Sequence, residues 1–426
     1  MRDGGGSMTG FGAELRRRRA AVGMSLGQLA ARVHYSKGYL SKVEHGTKPP
    51  GADLARLCDA ALDAGGALLA LVPSRPVGTQ GRTRGRPPGG PPGRTPGRPP
   101  LPEEVVAELG ALLDLEELPA VRLAADLDVT AAVFRGIFDR CRELGHQVSP
   151  VVVLEVLAQQ TRTVRAVARV AGDPARRRRL TLLAARFAEY TGWMAQESGD
   201  DRAAVRWTES AVRIAAPVGG TDLVQFALVR GADLALYRDD AVQTIALAQR
   251  AQADPRVAAR VRGLAAQREA QGHALAGDYD ACMRTLDRAA ALLAQAAANS
   301  DGDPAVGSTS LAEPGAMITG WALYDLGRPE DAARILDAEV PRIPATAARA
   351  RSRYGVRRAL AHSAAGDVDG ACGLIAALLP VVQRADSATV RLDLGRLARS
   401  LRRWHANPRV RDLYPALAEA LHTPVR

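Results

Sequence analysis

A chain of 426 residues with 47% hydrophobic content is long enough for two or three domains with real cores. Its 4% aromatic share, under a dominance of Ala, Leu, Val and Arg, favours helix over strand. The net charge of +11 is unevenly spread: residues 1–102 carry 16 Lys or Arg against 6 Asp or Glu, a net of +10, while residues 103–426 carry 41 against 40.

Cys58, Cys141, Cys282 and Cys372 are far apart and form no C-x-x-C, so they are expected as small core residues of a reduced protein rather than as a disulfide frame or zinc site. The scattered histidines have no metal spacing, and no phosphate loop, nucleophile elbow or supported carboxylate pair is present. The expectation is therefore no metal, no cofactor and no enzymatic activity. Neither an export segment nor a run of 18 apolar residues occurs, which predicts a cytoplasmic protein with no membrane partner. Residues 1–7 carry no structural logic of their own, and Met8 is an alternative start.

Residues 9–72 read as one small module. Phe11, Leu15 and Val22 make an apolar stripe at helical spacing, with Arg19 on it. Gly23 ends that helix and Ser25 is the next N-cap, followed by Leu26, Leu29, Ala30 and Val33. Ser36 caps a third helix in which Leu40 and Val43 face inward, with Glu44 one turn after Leu40 on the same side. An arginine and a glutamate both stranded on core faces predict an ion pair, Arg19 to Glu44, locking the first helix to the third.

The three lysines of the chain, Lys37, Lys42 and Lys48, all fall in "HYSKGYLSKVEHGTKPP", residues 34–50, whereas arginine supplies the other 54 basic side chains. With Leu40 and Val43 inward, Gly38, Lys42 and His45 project outward, Tyr39 and Ser41 flank them, and Lys37 sits at the N-terminal tip.

A short helix, a tight turn and a capped second helix make a helix-turn-helix. The ordered segments "ELRRRRAAVGMS", "LAARV", "YSKGYLSKVEHG", "ADLARLCDAAL" and "GGALLAL" closely resemble the Xre type, the lambda Cro and phage-repressor family of DNA-binding domains, from Phe11 to about Val72. The resemblance implies a five-helix domain that reads double-stranded DNA with its third helix. It implies contacts from Ser36, Lys37, Gly38, Tyr39, Ser41, Lys42 and Lys48 to base edges or phosphates. Many members have Gln directly after the helix-2 cap as a phosphate anchor; here that place is Leu26, and Gln28 is the substitute.

Residues 73–102 hold ten prolines, seven glycines and six arginines with no acidic residue, the composition of a disordered linker. Within it "TRGRPP" resembles an AT-hook core, in which Arg84, Gly85, Arg86 and Pro87 would lie along a minor groove. Gly/Pro/Arg-rich linkers also produce this string by composition alone, and six arginines attract phosphate without any motif.

Residues 103–422 read as helix after helix, repeating from about residue 181. "GDDRAAVRWTESA" from Gly199, "GDYDACMRTLDRA" from Gly277, "GRPEDAARILDAE" from Gly327 and "GDVDGACGLIAAL" from Gly366 share a turn and a following helix, with a weaker copy from Asp239. A small residue stands five places past each start: Ala204, Thr244, Cys282, Ala332 and Ala371. Steps of 40, 38, 50 and 39 residues predict an α-solenoid of helix pairs, with 299–314 as a surface insertion. Trp193, Trp207 and Trp321 fall inside repeat helices and are expected to pack.

Gly192, Ala270, Gly320 and Ala359, seven places before the turn residue, make the pattern resemble the tetratricopeptide repeat, although the units exceed 34 residues and lack its terminal proline. The fold class expected is all-α: helix-turn-helix domain, disordered linker, tetratricopeptide-like solenoid, a combination resembling actinobacterial regulators. Such a resemblance implies a dimeric, sequence-specific transcriptional regulator, nucleoid-associated when bound to DNA, whose repeats bind a peptide or protein partner or mediate dimerisation. The alternative is a protein-interaction scaffold with weak or residual DNA binding, and Leu26 is its best support.

Overall fold

The computed structural model describes residues 6–72, 127–298, 306–307 and 314–422. The Pro/Gly/Arg-rich segment, with Arg84, Gly85, Arg86 and Pro87, lies outside them. The described residues are helical with turns, and no strand occurs among them.

The N-terminal module contains α1 (Gly6–Ala21), α2 (Leu26–Arg32), α3 (Lys37–Glu44) and α4 (Ala52–Ala61), closed by a 3-10 turn at Leu69–Leu71 where the resemblance implied a fifth helix. Ser25 and Ser36 cap α2 and α3 through their hydroxyls, so each helix begins where its sequence supplies an acceptor. Phe11, Leu15, Leu29, Leu40, Val43 and Leu54 are completely buried or nearly so and form the core. Val22 does not join it. The first helix ends at Ala21 before its stripe reaches Val22, which is 55% exposed. A Cβ at Gly12 would lie 2.5 Å from the Val43 carbonyl oxygen, so the glycine lets α1 cross directly over the end of α3.

The body runs through α5 (Leu127–Gln147), α6 (Pro150–Val170), α7 (Pro174–Ser198), α8 (Asp201–Ala215), α9 (Thr221–Tyr237), α10 (Ala241–Gln252), α11 (Ala259–Ala276), α12 (Tyr279–Ala298), α13 (Pro314–Asp325), α14 (Pro329–Glu339), α15 (Ala348–Ala364), α16 (Val368–Ala385), α17 (Ala388–Leu401) and α18 (Pro408–His422). Consecutive helices pack as hairpins: α7 with α8, α9 with α10, α11 with α12, α13 with α14, α15 with α16. The connecting turns use left-handed backbone at Gly199, Asp239, Gly277, Gly327 and Gly366, the positions from which the sequence repeats. Ala204, Thr244, Cys282, Ala332 and Ala371 are all buried where the paired helices approach. One helix, α16, is apolar and long enough to cross a membrane by composition, yet its Ala371, Ile375, Leu379 and Val382 are buried against the protein.

The solenoid closes on itself. Glu197, at the end of α7 and fully buried, meets Arg349 and Arg353 of α15 at 3.0 and 2.5 Å. It also accepts hydrogen bonds from Ser387 (2.5 Å) and Thr389 (3.0 Å) at the start of α17, so one carboxylate joins residues 152 to 192 positions apart. Arg349 further donates to the backbone carbonyls of Gly145 and Val148, which ties in α5.

The N-terminal module rests on the repeat turns of the body. A Cβ at Gly327 would collide with the Arg56 carbonyl oxygen, one at Gly277 would approach the Gly66 Cα within 2.6 Å, and one at Gly366 would approach the His34 ring within 2.8 Å. The Arg56 guanidinium lies 4.0 Å from buried Asp325, and Arg403 lies over the Tyr35 ring at 4.4 Å. Asp59 shapes the contacting turn by accepting from the backbone N–H groups of Gly66 (2.6 Å) and Leu68 (2.8 Å).

Candidate nucleic-acid interface

A helix can read a DNA groove only if something else holds it, leaving one face clear. The third helix satisfies both conditions. Its inner face, Leu40, Val43 and Glu44, is buried; Lys37, Gly38, Lys42 and His45 are exposed, with the body in place. The Arg19 guanidinium grips Glu44 through Nε to Oε1 at 2.7 Å and Nη2 to Oε2 at 3.1 Å. Its Nη1 donates to the Met24 carbonyl (2.8 Å), which ties the α1–α2 turn to the same clamp. The hydrogen bond to Glu44 raises the Arg19 pKa against the effect of burial. Arg16 adds a second cation 3.5 Å from Glu44.

At the leading tip, the Ser36 hydroxyl accepts from the Tyr39 N–H at 3.2 Å. That hydroxyl is engaged in capping, so its remaining hydrogen-bonding capacity is what faces outward. Gly38 has no atom within 4 Å of where a Cβ would sit, so the protein itself does not require glycine there. Such a gap suits a backbone that meets another molecule.

Tyr39 is half-buried rather than free: its ring stacks 5.5 Å from Tyr35, and the Lys48 ammonium stands 5.9 Å from it. Burial raises the pKa of Tyr39, partly offset by Arg403, and pushes Tyr35 up to about 12. Both phenols therefore stay protonated and can donate at neutral pH. Ser41 is also half-buried, beside exposed Lys42. Lys48, beyond the helix, is exposed, its backbone N–H held by the Lys42 carbonyl at 3.2 Å.

The second helix begins with a reciprocal cap: Gln28 Oε1 accepts from the Ser25 N–H (2.8 Å) while Ser25 Oγ accepts from the Gln28 N–H (3.2 Å). The side-chain carbonyl of Gln28 is thus turned inward, and its amide NH2 is the group left for a phosphate. Leu26 packs partly buried against the module's core.

Of the residues singled out by the sequence, Gln28, Ser36, Lys37, Gly38, Lys42 and Lys48 are exposed, while Tyr39 and Ser41 are half-buried. Sequence reasoning missed Gly12 and Arg16, because neither a helix crossing nor a second charge on an already paired acid has a periodic signal.

A family model described as a helix-turn-helix domain matches residues 11–72. The chain carries a helix-turn-helix DNA-binding module. No curated protein matches the chain. Among the described residues, no three His, Cys, Asp or Glu side chains are grouped to hold a metal.

Proposed function

We propose that the protein is a sequence-specific transcriptional regulator of the Xre type. The observation carrying this reading is the clamped third helix, whose inner face is buried and tied by Arg19 to Glu44 while Lys37, Gly38 and Lys42 stay exposed. In this reading Lys37 and Tyr39 contact base edges or nearby phosphates, and Lys42 and Lys48 contact groove or backbone. The regulator acts as a homodimer whose two reading helices address half-sites ~34 Å apart. Its tetratricopeptide-like body binds a peptide or protein partner or holds the dimer together, and the protein has no enzymatic activity. It resides in the cytoplasm, on the nucleoid when bound.

Leu26, partly buried against the core where many Xre-type domains have a phosphate anchor, together with Gln28 folded onto its own cap, favours a second reading as an interaction scaffold with residual DNA binding. Recovery of genomic DNA fragments on the purified full chain separates the two. A few discrete sites with a shared sequence support the regulator, and a diffuse profile overturns it.

A further inference from the structure

Residues 103–426 are close to neutral, with 41 basic against 40 acidic side chains, yet one stretch departs from that balance. Residues 394–411, "LGRLARSLRRWHANPRVR", hold six arginines and no Asp or Glu. They cover the end of α17, a 3-10 turn at Arg402–Trp404 and the start of α18.

Arginines elsewhere in the body are held by carboxylates: Asp233 takes Arg230 at 2.9 Å and Arg268 at 2.8 Å, and Glu197 takes Arg349 and Arg353. Within the stretch, Arg396 pairs with Asp239 (2.6 Å) and Asp393 (3.0 Å), and Arg409 lies 3.8 Å from Asp369. Arg399, Arg402, Arg403 and Arg411 have no carboxylate partner among the described residues. Arg399, Arg402 and Arg411 are exposed.

The fold accounts for Arg399, which stands in the last turn of α17, where the helix dipole favours a cation. Arg411 is in the opposite situation. It lies with Arg409 in the first turn of α18, the positive end of that helix, where no acidic residue stands. The Asn407 side-chain carbonyl already caps this end, accepting from the N–H groups of Arg409 (2.8 Å) and Val410 (3.3 Å). Arg411 nevertheless converges with Arg402, because the two line one surface cleft with His405 and Tyr414.

Arg403 fixes where this patch stands. Its guanidinium lies 4.4 Å over the Tyr35 ring, and Tyr35 directly precedes Ser36, the cap of the third helix. The Tyr35 ring is 5.5 Å from that of Tyr39, and the Lys48 ammonium is 5.9 Å from Tyr39, so cation and ring alternate from the body to the reading helix. Arg403 is held from behind by Ser400, through Nε to the carbonyl (3.2 Å) and Nη2 to the hydroxyl (3.3 Å).

We infer that the body carries a second, sequence-independent DNA contact, in which Arg402 and Arg411 take backbone phosphates beside the stretch of duplex addressed by the third helix. The guanidinium fork matches phosphate oxygens, and contacts of this kind set register and affinity without reading bases. The inference rests on the proposed role of the third helix as a DNA-binding helix, but it needs no particular operator.

The test is therefore made on a fluorescein-labelled duplex of random sequence, about 30 base pairs or roughly three turns long. Its binding to the purified full chain is followed by anisotropy over a range of salt concentrations. Arg402→Gln with Arg411→Gln is expected to weaken binding at least tenfold at low salt and to reduce the slope of log affinity against log salt by about 2. Arg402→Lys with Arg411→Lys keeps both charges and is expected to keep the wild-type slope. Arg140→Gln with Arg256→Gln removes two equally exposed arginines elsewhere, each paired with a carboxylate, and should leave the slope unchanged. Equal melting temperatures confirm that the variants are folded. A chain that binds random and genomic duplexes alike fails as a specific regulator yet still shows the loss in the Arg402 and Arg411 pair, so the two readings fail separately. Wild-type slope and affinity in the Gln pair, the result expected if the patch serves an acidic protein instead, overturns the proposal. So does an equal fall in the Arg140 and Arg256 control, or a Lys pair that falls as far as the Gln pair.

Discussion

Replacing Glu197 by Gln tests whether the solenoid is held shut by one buried charge. Burial alone would raise the Glu197 carboxyl pKa, but Arg353 and Arg349, then the hydroxyls of Ser387 and Thr389, hold it at about 2 against an ordinary 4.5. A folded-state pKa below the unfolded one means stability that is fully present above pH 4.5 and lost as pH falls toward 2. At about 1.4 kcal/mol per pKa unit, the shift corresponds to about 3 kcal/mol. Gln keeps the shape, removes the charge and turns an NH2 toward two guanidinium groups, one of them only 2% exposed. The same size, about 3 kcal/mol, is expected for breaking a buried pair from one side. All four tryptophans lie between residues 193 and 404, so tryptophan fluorescence during urea denaturation reports on the body alone. The exposed pair Arg140 to Glu143 is the control, where Glu143→Gln should change stability by less than about 0.5 kcal/mol. The gap between wild type and Glu197→Gln should narrow as pH drops from 4.5 toward 2. An unchanged urea midpoint at pH 7, or a gap indifferent to pH, would refute the electrostatic closure.

Changing Lys37, Tyr39 and Lys42 together to Ala should abolish binding to selected operator DNA in gel-shift titration while leaving the body's urea transition in place; wild-type affinity would remove the third helix from the interface. Each single Lys→Ala at a phosphate contact should lower the slope of log affinity against log salt by about 1, measured by fluorescence anisotropy. Arg19→Ala or Glu44→Ala should destabilise the N-terminal module by about 2 to 3 kcal/mol, less than a fully buried pair because Arg19 keeps some solvent; hydrogen exchange of the α3 amides is the measurement, and unaltered protection counts against the clamp. Gly327→Val, which places a side chain against the Arg56 carbonyl, should free the module from the body. A larger radius of gyration by X-ray scattering with unchanged circular dichroism is expected, and an identical scattering profile speaks against the contact.

Local signals in the sequence carried the helix-turn-helix. Ser25 and Ser36 stand directly before apolar periodic runs, and Arg19 and Glu44 are charges on apolar faces, so caps and clamp were both legible. The stripe through Val22 overran because Gly23 fixes the turn, not the last helical residue; the helix frays out one residue earlier and Val22 turns to solvent. The repeat turns were legible for a similar reason: left-handed backbone demands Gly or, at 239, Asp, and that demand recurs once per hairpin. Closure of the solenoid was not legible. Glu197 and its four partners are 152 to 192 positions apart, and nothing in their neighbours marks them as more than ordinary charges on helices. Of the insertion expected at 299–314, the described Val306 and Gly307 are half-buried and accept at their carbonyls from Arg260 and Arg142, a role no composition signal conveys.

The turn glycines make the two halves of the molecule interdependent. A positive φ explains a glycine at 277, 327 or 366 within its own hairpin, but Asp239 shows that the backbone alone does not demand one. What Asp could not supply is absence of a side chain, and these three are the turns on which Gly66, Arg56 and His34 rest. Gly199, the remaining repeat-turn glycine, faces Ala388 of the body instead. The same spacing that sets the hairpin period therefore also spaces three side-chain-free seats along one edge of the solenoid, so a change in the stacking of α11, α13 and α15 moves the surface that carries the DNA-binding module. Through Arg268, Ile318 and Tyr354 those three helices also line one inner cavity of the body, so its wall and the seats of the module share the same helices.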